Sequence, residues 1–127
     1  MSFHRRRDAA QIELAAEQRR REHEAPRLHQ AAPTLLSLRL TFDDRTREDA
    51  VDGVHYAKPI VVATAPAYFD VRCAEPRCDG RHDLTESILS ALRSRLTSSS
   101  GRSSCNGAVG TSMCNRTLDY ACSATFR

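Results

Sequence analysis

The order of apolar and polar residues predicts two β-strands in the first half of the chain. Residues 36–42 (LSLRLTF) alternate apolar and polar side chains, which is typical of a strand with one buried face. Residues 60–65 follow Pro59, are almost continuously apolar and are rich in β-branched side chains, so they predict a second strand. The acidic stretch 43–53 is interpreted as an exposed hairpin loop between them.

Two other segments have the composition or periodicity of helices. Residues 5–25 are rich in Ala, Glu, Gln and Arg, all good helix formers, and Pro26 ends the stretch. The apolar face of this helix is thin, so it is expected to be a solvated extension, and the alternative is a docking or coiled-coil helix that needs a partner. Residues 84–96 carry leucine and isoleucine side chains at helical spacing, after a capping box that begins at Asp83. We expect this second helix to pack on the sheet.

Together these elements predict an α+β fold. The expected architecture is a small antiparallel sheet with one packed helix and a cysteine-rich C-terminal half. A charged helical extension over residues 1–30 precedes the domain, which covers residues 31–127. Within it, residues 97–104 are interpreted as a polar loop and residues 111–126 as a final hairpin.

Composition and charge narrow the function classes without choosing one. The formal net charge is only +3, and acids are interleaved with the arginines, so no block of positive charge marks a nucleic-acid-binding arm. No apolar run approaches the length of a membrane helix, and the N-terminal residues lack the apolar segment of a signal peptide. The expected location is therefore the cytoplasm, where thiols stay reduced.

The cysteines give the strongest chemical signal in the sequence. All five lie between residues 73 and 122, and a core of this size gains much from a bound metal. Zinc takes four nitrogen or sulfur ligands, commonly as two pairs from separate segments. The predicted structural zinc ligands are Cys73, Cys78, Cys105 and Cys114, with His82 as the first substitute.

Other states of the cysteines stay open at this point. Free thiols are one alternative, and disulfides such as Cys73–Cys78 or Cys105–Cys114 are another, although an odd count disfavours complete pairing. Cys122 alternates with Leu118 and Tyr120, so it is expected in the core. His82 directly precedes a predicted helix, and its alternative role is a surface or capping histidine.

The spacing C-x4-C-x3-H, formed by Cys73, Cys78 and His82, resembles the distal half of a CCCH-type zinc finger. The arrangement of the cysteines in two pairs is similar to a zinc ribbon. The upstream cysteine of a CCCH finger is missing, and the spacings are wider than in the usual ribbon. The resemblance implies a structural zinc site and does not imply RNA binding.

The sequence carries no recognisable catalytic motif. It contains no phosphate-binding glycine loop, and the paired acids Asp43-Asp44 and Glu48-Asp49 fall in the predicted exposed loop. We therefore expect a non-catalytic, zinc-stabilised interaction protein that docks on a protein partner or self-associates. The alternatives are a nucleic-acid- or ribosome-associated accessory factor and a thiol-based redox protein. A membrane partner is not expected.

Overall fold

A computed structural model describes residues 2–46 and 54–127 of the chain. Its elements, in chain order, are α1 (Ser2–Glu24), α2 (Leu28–Ala31), β1 (Leu35–Thr46), β2 (Val54–Ile60), β3 (Asp70–Arg72), β4 (Arg81–Asp83), α3 (Thr85–Arg93), β5 (Ser98–Ser104), β6 (Ala108–Val109), β7 (Ser112–Met113) and β8 (Arg116–Phe126). This architecture confirms the predicted α+β class with a small antiparallel sheet. The predicted boundary between an extension and a domain near residue 30 stays a prediction.

The main sheet has four antiparallel strands in the order β2-β1-β8-β5. Leu40 of β1 lies opposite Lys58 of β2 on one side and Cys122 of β8 on the other. Residues that lie directly opposite each other project from the same face of a sheet. We call the face that carries Leu40 the inner face, because Leu40 is buried there.

The hydrophobic core lies on this inner face, where α3 covers the sheet. Ile88, Leu89 and Leu92 of α3 are buried in one cluster with Leu40 and Leu118 of the sheet. The helix is shorter than predicted: it ends at Arg93, and Leu96 is exposed. The predicted capping box is not formed: Leu84 is the N-cap and has no side-chain cap hydrogen bond, although Asp83 Oδ1 accepts a hydrogen bond from the Thr85 amide at 3.1 Å.

Two predictions for the C-terminal region are wrong. Residues 98–104, expected in a loop, form the edge strand β5, which pairs with β8 along its whole length. The sequence SSSGRSS has no β-branched or aromatic side chain, so its pairing with β8 overrides its weak strand propensity. The expected hairpin over residues 111–126 is instead the small β6–β7 hairpin followed by one long strand.

The first hairpin also differs from its prediction. β2 ends at Ile60 instead of beginning there, and residues 61–65 form a turn. Residues 43–46 belong to β1, and Asp44 is buried on the inner face instead of solvated. Glu48 and Asp49, also expected to be solvated, lie outside the described residues.

The C-terminal part of α1 is held to the domain by Arg21. Its guanidinium forms an ion pair with Asp83 at 3.1 Å and lies over the Tyr68 ring, 5.6 Å from the ring centroid. Ile12 and Leu14 on the same helix are exposed. Among the described helices, none is both long enough and apolar enough to cross a membrane.

Candidate metal centre

Four cysteine sulfur atoms meet in one buried cluster. The Sγ atoms of Cys73, Cys78, Cys105 and Cys114 all lie within 4.8 Å of one another. Cys73 and Cys114 are 3.7 Å apart, and Cys78 and Cys105 are 3.6 Å apart, each measured between Sγ atoms. A tetrahedral zinc site with bonds of about 2.3 Å requires sulfur atoms separated by about 3.8 Å. The cluster therefore has the dimensions of a tetrahedral metal site.

Two segments of the chain supply the cysteines, and each segment is organised around one glycine. In the first segment, the amide of Gly80 donates a hydrogen bond to Cys78 Sγ at 3.3 Å. The carbonyl of the same glycine accepts a hydrogen bond from the Cys73 amide at 3.1 Å. Gly80 thus fixes the positions of both cysteines in its segment.

The second segment repeats this arrangement with Gly107. The Gly107 amide donates to Cys105 Sγ at 3.4 Å, and its carbonyl accepts from the Cys114 amide at 3.0 Å. In both segments the glycine lies two residues after one cysteine. Its amide and its carbonyl form hydrogen bonds to the two cysteines of that segment. The centre is therefore built from two equivalent halves, which we call the knuckles, residues 73–80 and 105–114.

The two glycines also allow the knuckles to approach each other closely. A Cβ atom on Gly80 would lie 2.4 Å from Cys105 Sγ, and one on Gly107 would lie 2.5 Å from the Gly80 nitrogen. Neither distance can be accommodated without moving backbone or sulfur atoms. The absence of a side chain at both positions is a requirement of the four-sulfur geometry.

Burial and hydrogen bonding set the protonation of the metal-free cluster. Burial raises the pKa of the Cys105 thiol to about 11, although the Gly107 amide acts in the opposite direction. Burial also raises the pKa of Cys73, against the effect of the Glu75 amide. For Cys114 burial acts upward as well, but the Arg116 amide and the neighbouring thiols lower its pKa overall. For Cys73, Cys105 and Cys114, the amide two residues later thus favours the thiolate, the form that binds a metal.

His82 and Cys122 lie outside this group. His82 is buried in β4, and its Nδ1 is 2.8 Å from Ser103 Oγ, in a hydrogen bond to β5. Cys122 is buried in the main hydrophobic core, as predicted, and none of the five cysteines forms a disulfide. The structure brings together the four cysteines that the sequence ranked first, while ligation itself stays a prediction.

A buried carboxylate connects the sheet to both knuckles. Asp44 Oδ2 accepts a hydrogen bond from the amide of Ala74, which follows Cys73. Asp44 Oδ1 accepts one from Arg116 Nη1 at 3.3 Å, and the carbonyl of Arg116 in turn accepts from the Cys105 amide. Because the carboxylate is buried and paired, it holds the two knuckles against the end of β1.

Sequence reasoning missed the roles of Gly80, Gly107 and Asp44. A signal for the glycines was present, because Cys78-Asp79-Gly80 and Cys105-Asn106-Gly107 repeat the pattern Cys-Asx-Gly. No comparable signal marked Asp44, which stands beside a second aspartate in an acidic stretch.

Comparison with protein-family models, with curated proteins and with solved structures finds no match to this chain. The function is therefore argued from the site itself.

Proposed function

We propose that this protein is a non-catalytic, zinc-stabilised interaction protein. Cys73, Cys78, Cys105 and Cys114 hold a structural Zn²⁺, and the domain fixed in this way docks on a protein partner or on a second copy of itself. The observation that carries the proposal is the buried cluster of four sulfur atoms within 4.8 Å of one another, with two of the pairs at 3.6 and 3.7 Å.

The ligand set supports a structural role over a catalytic one. A catalytic zinc has three protein ligands and keeps a fourth position for water or substrate, whereas four cysteines fill the coordination sphere. All four cysteines are buried, so a substrate has no direct access to the metal. A bound metal would stabilise the knuckles, because the first lies between the three-residue strands β3 and β4 and the second contains only the two-residue strands β6 and β7.

Zinc is the metal that this ligand set favours in a protein with reduced thiols. Tetrahedral sulfur coordination suits zinc or iron, and softer or harder divalent ions prefer other donors. Elemental analysis of protein purified without added metal should give one zinc per chain. Cys114→Ala should abolish stoichiometric zinc, whereas Cys122→Ala, which alters a buried cysteine outside the cluster, should retain it. Well-folded protein that contains no metal, or contains iron instead, would contradict the zinc assignment.

The docking part of the proposal rests on the exposed apolar side chains of α1. Ile12 and Leu14 are 66% and 44% exposed on a helix that is otherwise strongly charged. Light scattering at micromolar concentration should detect a dimer, or a complex with a co-purified protein, that is lost when both residues are changed to Glu. Glu13→Gln, an exposed polar change between them, is the matched control. A monomer that co-purifies with nothing would contradict docking through α1.

A further inference from the structure

A cavity of about 650 Å³ lies between α1 and the inner face of the sheet. Leu40, Phe42 and Ile60 line its apolar part, and Ala15 and Gln18 of α1 line the opposite wall. This volume falls within the range of small-molecule binding sites. α1 covers the cavity and is held in place by the ion pair between Arg21 and Asp83, so the space suits a compact ligand more than a peptide that must thread beneath the helix.

Lys58 is a charged residue among the apolar residues that line one part of this cavity. It lies opposite Leu40, so its side chain projects from the inner, apolar face of the sheet. It is the only lysine in the chain, and it has no carboxylate partner among the described residues. Its side chain is exposed, so the ammonium group stays hydrated at the rim of the cavity, where it can meet the charged end of a ligand whose apolar part lies inside.

The other charges around the cavity add to the excess of positive charge. Arg19 and Arg72 also line it and have no ion-pair partner in the described part of the chain. Arg81, by contrast, is neutralised by Asp70 at 3.1 Å. Glu22 is the one lining carboxylate of the described residues that is not engaged by a cation, so the cavity carries an excess of unpaired cations.

We propose that this cavity binds a small amphipathic carboxylic acid. The apolar part of the ligand packs against Tyr56, Ile60 and Val61, which line the cavity and are at least partly exposed, and its carboxylate pairs with Lys58 and Arg72. Apolar burial supplies affinity and the charge-assisted hydrogen bonds supply specificity for the anion. None of the four clustered cysteines lines this cavity, although Arg72 directly precedes Cys73.

Decanoate is a suitable probe, with decanol and decyltrimethylammonium as neutral and cationic analogues of the same chain length. Isothermal titration calorimetry of the purified protein should show binding of decanoate, with decanol at least tenfold weaker and no binding of the cation. Lys58→Gln should weaken decanoate about tenfold or more, as expected for the loss of a hydrogen bond to a charged group. Arg72→Gln should act in the same direction and gives the same readout if Lys58→Gln does not fold.

Two further variants separate a built site from a general effect of charge. Arg39→Gln removes an exposed cation from the opposite face of β1 and should leave the affinity for decanoate unchanged. Ala15→Trp fills the cavity from α1, keeps Lys58, and should abolish binding. Equal affinity for decanoate and decanol would overturn the proposal. Absence of binding by decanoate would also overturn it, and Lys58 would then be a solvated charge that protects the edge strand β2 from pairing with another chain.

Discussion

Replacement of Gly107 by Ala tests the face-to-face packing of the two knuckles. The added Cβ would lie 2.5 Å from the Gly80 nitrogen and 2.7 Å from Cys78 Sγ. Normal contact distances require these atoms to separate by roughly 1 Å. Metal–ligand bonds, however, tolerate only about 0.2 Å. The variant must therefore either distort the sulfur tetrahedron or strain the backbone.

The expected cost follows from the energetics of overpacking. Forcing an extra methyl group into a close-packed site costs about 1–3 kcal/mol. If the cost falls on the metal-bound state, zinc affinity should drop about 5- to 150-fold. Competition with a chromophoric chelator measures this affinity directly. The visible absorption of Co²⁺-substituted protein would show in parallel whether tetrahedral sulfur coordination survives.

Asn106→Ala is the matched control, because Asn106 is exposed and lies in the same Cys-Asx-Gly turn. It should bind zinc within about twofold of the unmodified protein. If Gly107→Ala also binds within twofold, with the same Co²⁺ spectrum, then the close approach of Gly80 and Gly107 does not determine the metal site and the reasoning is refuted.

Three other predictions follow from the buried ionisable side chains. Asp44→Ala leaves Arg116 without its buried partner and should lower the free energy of unfolding by about 3–5 kcal/mol in urea titrations; a loss below 1 kcal/mol would contradict its connecting role. Burial lowers the pKa of His82 below 6.5, so just below that pH this histidine is protonated in the unfolded chain but not in the folded one. The free energy of unfolding should therefore fall from pH 7.5 to pH 5.5, and it should fall more in the original protein than in His82→Gln. Because the pKa of Cys105 is raised to about 11, zinc must displace its proton, and chelator competition should show affinity rising from pH 6 to pH 8; a flat profile would contradict this.

The sequence was most informative where a local pattern determines structure. The alternation over residues 36–42 identifies most of the inner face of β1, and the spacing of Ile88, Leu89 and Leu92 identifies α3. The cysteine spacing was sufficient to rank the four residues that meet, because zinc sites draw ligands in pairs from separate segments.

The remaining features depend on contacts between distant segments. β5 is a strand because it pairs with β8, and its serine-rich sequence has no strand propensity that would predict this pairing. Asp44 is buried because the two knuckles close over the end of β1, so its environment depends on Ala74 and Arg116, which lie far along the chain. The charge on Lys58 is notable only once the register shows which face carries it.

The central strand pair has a consequence for the timing of folding. β1 pairs with β8, so Leu40 meets Cys122 only after the intervening residues have been synthesised. Until then β1 exposes the edge that β8 will cover, and the second knuckle is also missing. Pairings between residues so far apart in sequence form slowly, because the chain must close a long loop first. On a ribosome, the sheet and the four-sulfur site can therefore be completed only after the second knuckle and β8 have been synthesised.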